Sequence, residues 1–265
     1  MANDNLIQKL KAAGVVLHDH HRVVYKYMDV TTAMHILTGR SLMFTKPDNF
    51  NDPFEVHMGL LDFDFLEDQA VEIYQKHLND GKEVTDEMRR VLETQGKKLI
   101  SESVQKVFRK FRENVGITCF AMNPGNALMW AHYANKHKGV CLGFTIPGHN
   151  RTRDAFNVNY VDAIKPIKFF ADEERDLSFW YWVFTKSYVW AYEQEVRLAS
   201  FFSNGIQPFD GIDIVEVYYG VGTAQEDIDA IEIMLPYFPG VQKRVKMEIS
   251  SKTFDLIETT YDKRR

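Results

Sequence analysis

Apolar residues recur along this chain in two rhythms, and the rhythm changes every ten residues or so. Residues 4 to 13 place Leu6, Ile7, Leu10 and Ala13 at helical intervals. VVYKYMDV then alternates as a strand, with Val24 and Lys26 on one face and Tyr25 and Tyr27 on the other. Asp29 or Thr31 caps a short helix, TTAMHILTG, that stops at Gly39. SLMFTK is the next strand, and PDNFNDPFE, dense in Asn, Asp and Pro, is a structured loop. From about 65 to 113 charges of both signs interleave with spaced Val, Leu, Ile and Phe, which predicts one or two amphipathic helices on the outside of the fold.

The second half continues the alternation. VGITCFAM predicts a buried strand, NPGNALMWAHYANKHKG a helix with a proline near its start and a glycine at its end, and VCLGFTI a strand covered on both faces. An aromatic-rich helix is expected from about Glu173 to Val189, then a strand through WAYEQEVRLAS, the strand DIVEVYYG, the helix AQEDIDAIEIML and one or two closing strands. The irregular order predicts an α+β fold with a central curved, mixed or antiparallel sheet and peripheral helices. One domain spans residues 1–265, with a charged helical insertion at about 65–113.

Composition narrows the choices. At 265 residues, 45% hydrophobic and 26% charged, the chain has ample material for a core. A net charge of −5 disfavours a broad nucleic-acid surface and leaves only a local basic groove open. Cys119 and Cys141, each inside an apolar run, read as reduced core thiols and fit neither a disulfide framework nor a zinc pattern. No apolar run approaches the ~18 residues of a membrane helix, and the N-terminus is too polar for a signal core, so no membrane partner and a cytoplasmic location are expected. No glycine-rich turn joins a strand to a helix, which excludes the Rossmann and Walker fingerprints.

Three stretches carry candidate chemistry. In FNDPFE, a rigid turn would hold Asn51, Asp52 or Glu55 at the mouth of a pocket. In MWAHYANKHKG, a continuous helix would stack Trp130 with Ala134 and Tyr133 with His137; Trp130 and Tyr133 offer flat faces to a planar ring, with His132 between them as a further contact. His132 and His137 lack the spacing of a helical zinc pair, and no metal is expected. In WAYEQEVRLAS, a strand would align Glu193, Glu195 and Arg197 on one face. Aromatic residues flank this strand, so its glutamates are expected to be covered and to pair with Arg197 and Lys186, an arrangement that suits a positioned base or the stabilisation of a cationic transition state.

Together YKY (25–27), FNDPFE, ITCFAM, MWAHYANKHKGVCLGF and YEQEVRL resemble, in order and spacing across roughly residues 23 to 222, a bacterial and phage family known as domain of unknown function 2971. That family name implies relatives and no activity. A second resemblance is to ADP-ribosyltransferases: a first strand, a short helix, a tight glycine and a second strand are mirrored in VVYKYMDVTTAMHILTGRSLMF, and their late Glu-x-Glu strand in YEQEVRL. This resemblance implies split sheets, NAD as the bound cofactor and a macromolecular acceptor. It casts Glu195 as the stabiliser of an oxocarbenium-like transition state and Glu193 as the residue that orients or deprotonates the acceptor. Tyr25 or Lys26 would contact the ribose or amide, and Trp130 or Tyr133 would stack on nicotinamide. The usual first-strand His or Arg is absent, with Lys26 nearest to it. An NAD-using transferase or NAD-cleaving enzyme, with phage–host conflict as its expected setting, thus stands beside two alternatives: a non-enzymatic nucleotide-sensing or protein-binding module, and a metal-dependent nuclease or phosphodiesterase built on Asp52, Glu55 and Glu195.

Overall fold

Strands that the alternation marks in the first and second halves interleave in space. The structure is a computed structural model that describes residues 4–77, 84–147, 154–171, 175–208 and 211–262. Its strands are β1 (Val16–Leu17), β2 (Val24–Met28), β3 (Ser41–Phe44), β4 (Leu61–Asp62), β5 (Gly116–Ala121), β6 (Val140–Thr145), β7 (Ala155–Asn157) and β8 (Asn159–Val161). They continue with β9 (Ile167–Lys168), β10 (Thr185–Ser187), β11 (Glu195–Ser200), β12 (Gly205–Pro208), β13 (Asp213–Tyr219), β14 (Lys243–Ile249) and β15 (Leu256–Thr260). The helices are α1 (Asp4–Ala12), α2 (Val30–Gly39), α3 (Ala70–His77), α4 (Asp86–Asn114), α5 (Ala127–Tyr133), α6 (Arg175–Phe184) and α7 (Gln225–Met234).

Nine strands form one sheet in the order β1-β7-β11-β5-β2-β6-β13-β14-β15. The pairings are antiparallel except β13 with β14, so the fold is α+β on a mixed sheet, as the pattern implies. β6, the apolar run expected to be covered twice, lies between β2 and β13 and is buried along nearly its whole length. Helices α2 and α7 pack together over one part of the core, against Phe144, Val217 and their neighbours. Helix α6 and the inner edge of α4 cover a second part, built on Phe108, Trp182 and Phe184. Only Leu92, Gly96 and Phe108 of α4 are fully buried, so this long charged helix is peripheral.

One weakness in the sheet sets up the site. β5 pairs with β11 over its whole length, Glu195↔Ala121 to Ser200↔Gly116, and β2 pairs with β6 from Val24 to Met28. Between β2 and β5 a single pair is made, Tyr25↔Ala121. The two strands part beyond it and the sheet is split there.

Local order differs from the periodic reading in three places. The helix after Pro124 ends at Tyr133, because Asn135, Lys136 and His137 all take left-handed backbone (φ 46°, 55° and 66°); Gly139 N then closes the turn on the Ala134 carbonyl. His137 therefore does not continue the face of Tyr133. The aromatic helix stops at Phe184, and Lys186 lies on β10 beside β8. The strand through WAYEQEVRLAS begins only at Glu195: residues 188–193 form a 3-10 turn, and Gln194 (φ 45°) reverses direction with its N–H on the Ala191 carbonyl. Glu193 is thus not on the strand face shared by Glu195 and Arg197.

Candidate functional site

Arg197, in the middle of β11, has no exposed surface at all. Its guanidinium grips Glu195 twice, Nε on Oε1 at 2.7 Å and Nη2 on Oε2 at 3.1 Å, and Nη1 donates to the Val183 carbonyl at 2.7 Å. Nη1 also lies 2.6 Å from Oε1 of Glu55. Lys186 enters from β10 and donates to Glu193 at 2.6 Å and Glu195 at 3.0 Å, with Glu55 at 4.0 Å. Its ammonium also lies 5.1 Å from the centre of the Trp190 ring. The 3-10 turn that takes Glu193 off the strand still delivers its carboxylate to Lys186, and Tyr133 donates to the other oxygen at 2.5 Å.

Electrostatics separates these carboxyls. Burial pushes Glu195 upward, but Arg197 and Lys186 overcome it and hold the group at about 2, so Glu195 is an anion at any physiological pH. Glu55 goes the other way: burial raises its pKa, with Glu195 adding to the rise and Arg197 opposing it. Burial disfavours the Lys186 ammonium, and Glu195, Glu55 and Glu193 outweigh that and raise its pKa. Glu55 is set in place by its own loop. Val56 after it takes a left-handed φ of 49°, costly for a β-branched residue, and Arg112 donates to the carbonyls of both.

The split between β2 and β5 opens beside this cluster as a cavity of about 190 Å³. Tyr25, Lys26, Asn51, Tyr133, Lys186, Glu193 and Glu195 all line it, so the first-strand, loop, helix and late-strand candidates do converge. Tyr25 lies across Gly143, where an added Cβ would come within 3.2 Å of its ring, and donates to Glu216 at 3.2 Å. Burial, then the Glu216 carboxylate, pushes its phenol up to about 12. Asn51 donates to the Tyr133 hydroxyl at 3.1 Å.

Other candidates are not in the cavity wall. Trp130 is fully buried, edge-on to Tyr27 and bonded to the Pro124 carbonyl at 2.7 Å, so its faces are core contacts and cannot stack on a ligand. His132 is exposed and turned toward Tyr192, because the helix points it away from the sheet opening. Asp52 is buried but serves its turn, Oδ1 accepting from Phe54 N at 2.9 Å. Sequence reasoning underrated Cys119: read as an inert core thiol, it lines the cavity, and the register places it opposite Arg197. Its alternation with Phe120 in ITCFAM was the available signal.

Other hollows exist among the described residues, one of about 480 Å³ lying between α2, Lys138 and α7. The largest, about 690 Å³, runs along α4 past Lys97, Ser101 and Arg109 and brings no buried charged group together. Another, about 200 Å³, lies near Phe54, His57 and Ile164 and shares Lys186 with the first cavity. Among the described residues, the one group with metal-ligand spacing is Asp19, His20 and His21, all exposed and outside the cavity lining.

An α+β chain on one nine-stranded mixed sheet, with Lys186, Glu193 and Glu195 in the wall of a small cavity, defines the class of molecule. Comparison with known families adds one finding: the model of the family described as protein of unknown function (DUF2971) matches residues 129–198, the stretch from α5 into β11 that holds Tyr133, Lys186, Glu193, Glu195 and Arg197. The resemblance to that family holds over this stretch. No curated protein matches the chain. No helix among the described residues is long and apolar enough to cross a membrane.

Proposed function

We propose that the protein is an ADP-ribosyltransferase-like enzyme that cleaves NAD and passes ADP-ribose to a macromolecule or to water. One observation carries the reading. Three carboxylates, Glu55, Glu193 and Glu195, share two cations, Lys186 and Arg197; Lys186, Glu193 and Glu195 line the cavity, and Arg197 and Glu55 are buried partners bonded to them. With all five ionised the cluster holds one surplus negative charge in a desolvated place, which favours a group that becomes cationic as its leaving group departs. Glu195, fixed as an anion from both sides, stabilises that charge and does not move protons.

Drug-sized ligands occupy pockets of about 300–1,000 Å³. The 190 Å³ here suits a planar ring with part of a sugar, the rest of a dinucleotide lying outside the cavity. Tyr25 and Tyr133 would flank the ring, and Asn51 would meet its polar atoms. The direct test is to incubate the pure protein with NAD and follow nicotinamide release, with and without cell extract. Release that disappears in Glu195→Gln supports the reading; its absence under both conditions ends it.

A specific observation favours a second reading. Both oxygens of Glu195 are already taken by Arg197 and Lys186, as suits a module that senses a nucleotide without cleaving it. That reading predicts a thermal shift with NAD or another nucleotide and no nicotinamide. The nuclease alternative loses ground because Glu55 and Glu195 face a guanidinium and an ammonium, which repel a metal ion.

A further inference from the structure

Lys26 sits where the sheet splits. Past Tyr25↔Ala121 the ladder between β2 and β5 lapses, and the Cys119 carbonyl takes a hydrogen bond from Lys26 Nζ at 2.9 Å. Nζ also donates to Thr118 Oγ1 at 3.1 Å and stands 5.4 Å from the centre of the Phe120 ring. These partners are all neutral. The contrast with Lys186, wedged among three carboxylates, is complete.

An ammonium has three N–H donors, whereas a neutral amine has two and a lone pair. The two acceptors at hand satisfy the neutral amine in full, and Lys26 lines the cavity. The groups around it do little to hold a proton there. From β5 come Thr118 and Cys119, from β11 Glu195, from β6 its apolar register partner Leu142, and from its own strand Tyr25 and Tyr27. Across the cavity stand Tyr133, Glu193 and Lys186, already bonded to one another. Burial depresses the Lys26 pKa, with Cys119 and Glu195 opposing only in part.

We propose that Lys26 Nζ is the general base of the cavity: a neutral amine whose lone pair takes the proton from the hydroxyl or amine that receives the transferred group. The proposal rests on the ADP-ribosyl-transfer reading. The glutamates are unsuited to this step, since Glu195 is a fixed anion of low basicity and both oxygens of Glu193 are engaged. In the step the acceptor O–H or N–H bond breaks and its proton forms the third N–H of a Lys26 ammonium. The electron pair left on the acceptor forms the new bond to the anomeric carbon. The bond from that carbon to nicotinamide breaks, and nicotinamide leaves as the neutral base. The ammonium then returns its proton to water.

Two measurements on the full chain test this. The first follows the lysine Cε resonances by NMR against pH, with Lys26→Arg assigning the signal. Lys26 is expected to titrate clearly below the exposed lysines, because burial disfavours its ammonium; titration together with them overturns the proposal, whatever the enzyme does. The second follows nicotinamide release. The parent should lose activity on the acid side with the NMR-measured Lys26 pKa, Lys26→Ala should fall by about a hundredfold or more, and added methylamine should restore part of the loss. An acid limb that survives in Lys26→Ala overturns the role. A parent that releases no nicotinamide ends the transferase reading, while the NMR titration still decides whether Lys26 is a neutral amine.

Discussion

Two buried glutamates, Glu195 and Glu232, show what separates a functional charge from a structural one. Glu232 lies on α7 and accepts from Tyr219 at 2.6 Å and Arg244 at 3.1 Å, tying the helix to β13 and β14. One carboxylate faces one cation, and that cation is 41% exposed. At Glu195 both cations are buried, the carboxylates outnumber them, and a cavity opens alongside. The first arrangement closes a local hydrogen-bond account. The second gathers more carboxylates than cations in a dry place, which is costly unless something uses it.

The largest expected difference follows from removing the cations. Arg197→Ala strands buried Glu55 and Glu195 and should cost about 3–5 kcal/mol. Arg244→Ala leaves the buried Glu232 carboxylate with Tyr219 alone, but Arg244 itself reaches solvent, so the cost should be smaller, about 1–3 kcal/mol. Urea unfolding of both variants beside the parent measures this. Similar midpoints for the two would erase the distinction between the clusters.

Next comes Glu195→Gln. Nicotinamide release should fall by about 10²–10³, the usual effect of removing one transition-state charge partner, whereas Glu232→Gln should leave it unchanged. Because Glu195 is wedged between Arg197 and Lys186, its replacement must also cost stability. Its folded pKa of about 2 lies below the ordinary 4.5, so its contribution is fully present above about pH 4.5 and drains away as pH falls through about 2. A shift of that size corresponds to on the order of 3 kcal/mol. Acid titration of parent and variant should therefore converge; parallel curves would show that Glu195 is not held as described.

A smaller effect is expected on the structural side. Tyr219→Phe leaves one oxygen of Glu232 short of a partner and should cost about 1–3 kcal/mol with no change in cavity chemistry. Nicotinamide release altered in this variant would mean the two clusters are coupled through the sheet.

How much of this was legible beforehand depended on range. The strand around Tyr25 follows from alternation, those around Cys119 and Cys141 from continuous apolar runs, and Asp29 caps α2 as its chemistry suggests. Lys186 and Arg197 were readable as partners for Glu195 because all three lie within a dozen residues. Glu55 as a third carboxylate was not, since about 140 residues separate it from Glu195 and only the sheet order brings them together. Glu193 and His137 were misplaced for one shared reason: a non-glycine residue in left-handed conformation, Gln194 in one case and Asn135 onward in the other, breaks a periodicity that composition does not interrupt.

The finest test separates the carboxylates of one cluster. Glu55 is the opposite of Glu195: burial raises its pKa above the ordinary value, with Arg197 opposing. A group with a raised folded pKa binds its proton more tightly in the folded state, so ionising it costs stability, and the cost is absent below about pH 4.5 and grows as pH rises through the folded value. Glu55→Gln keeps the shape and removes the charge, and Arg197 retains its double grip on Glu195 and its bond to Val183. The variant is therefore expected to be at least as stable as the parent at pH 7, with the gap closing toward pH 4. Urea midpoints at the two pH values measure it. A variant clearly weaker than the parent at pH 7 would mean that the surplus carboxylate is structural after all, and that the cluster beside the cavity is balanced like the one around Glu232.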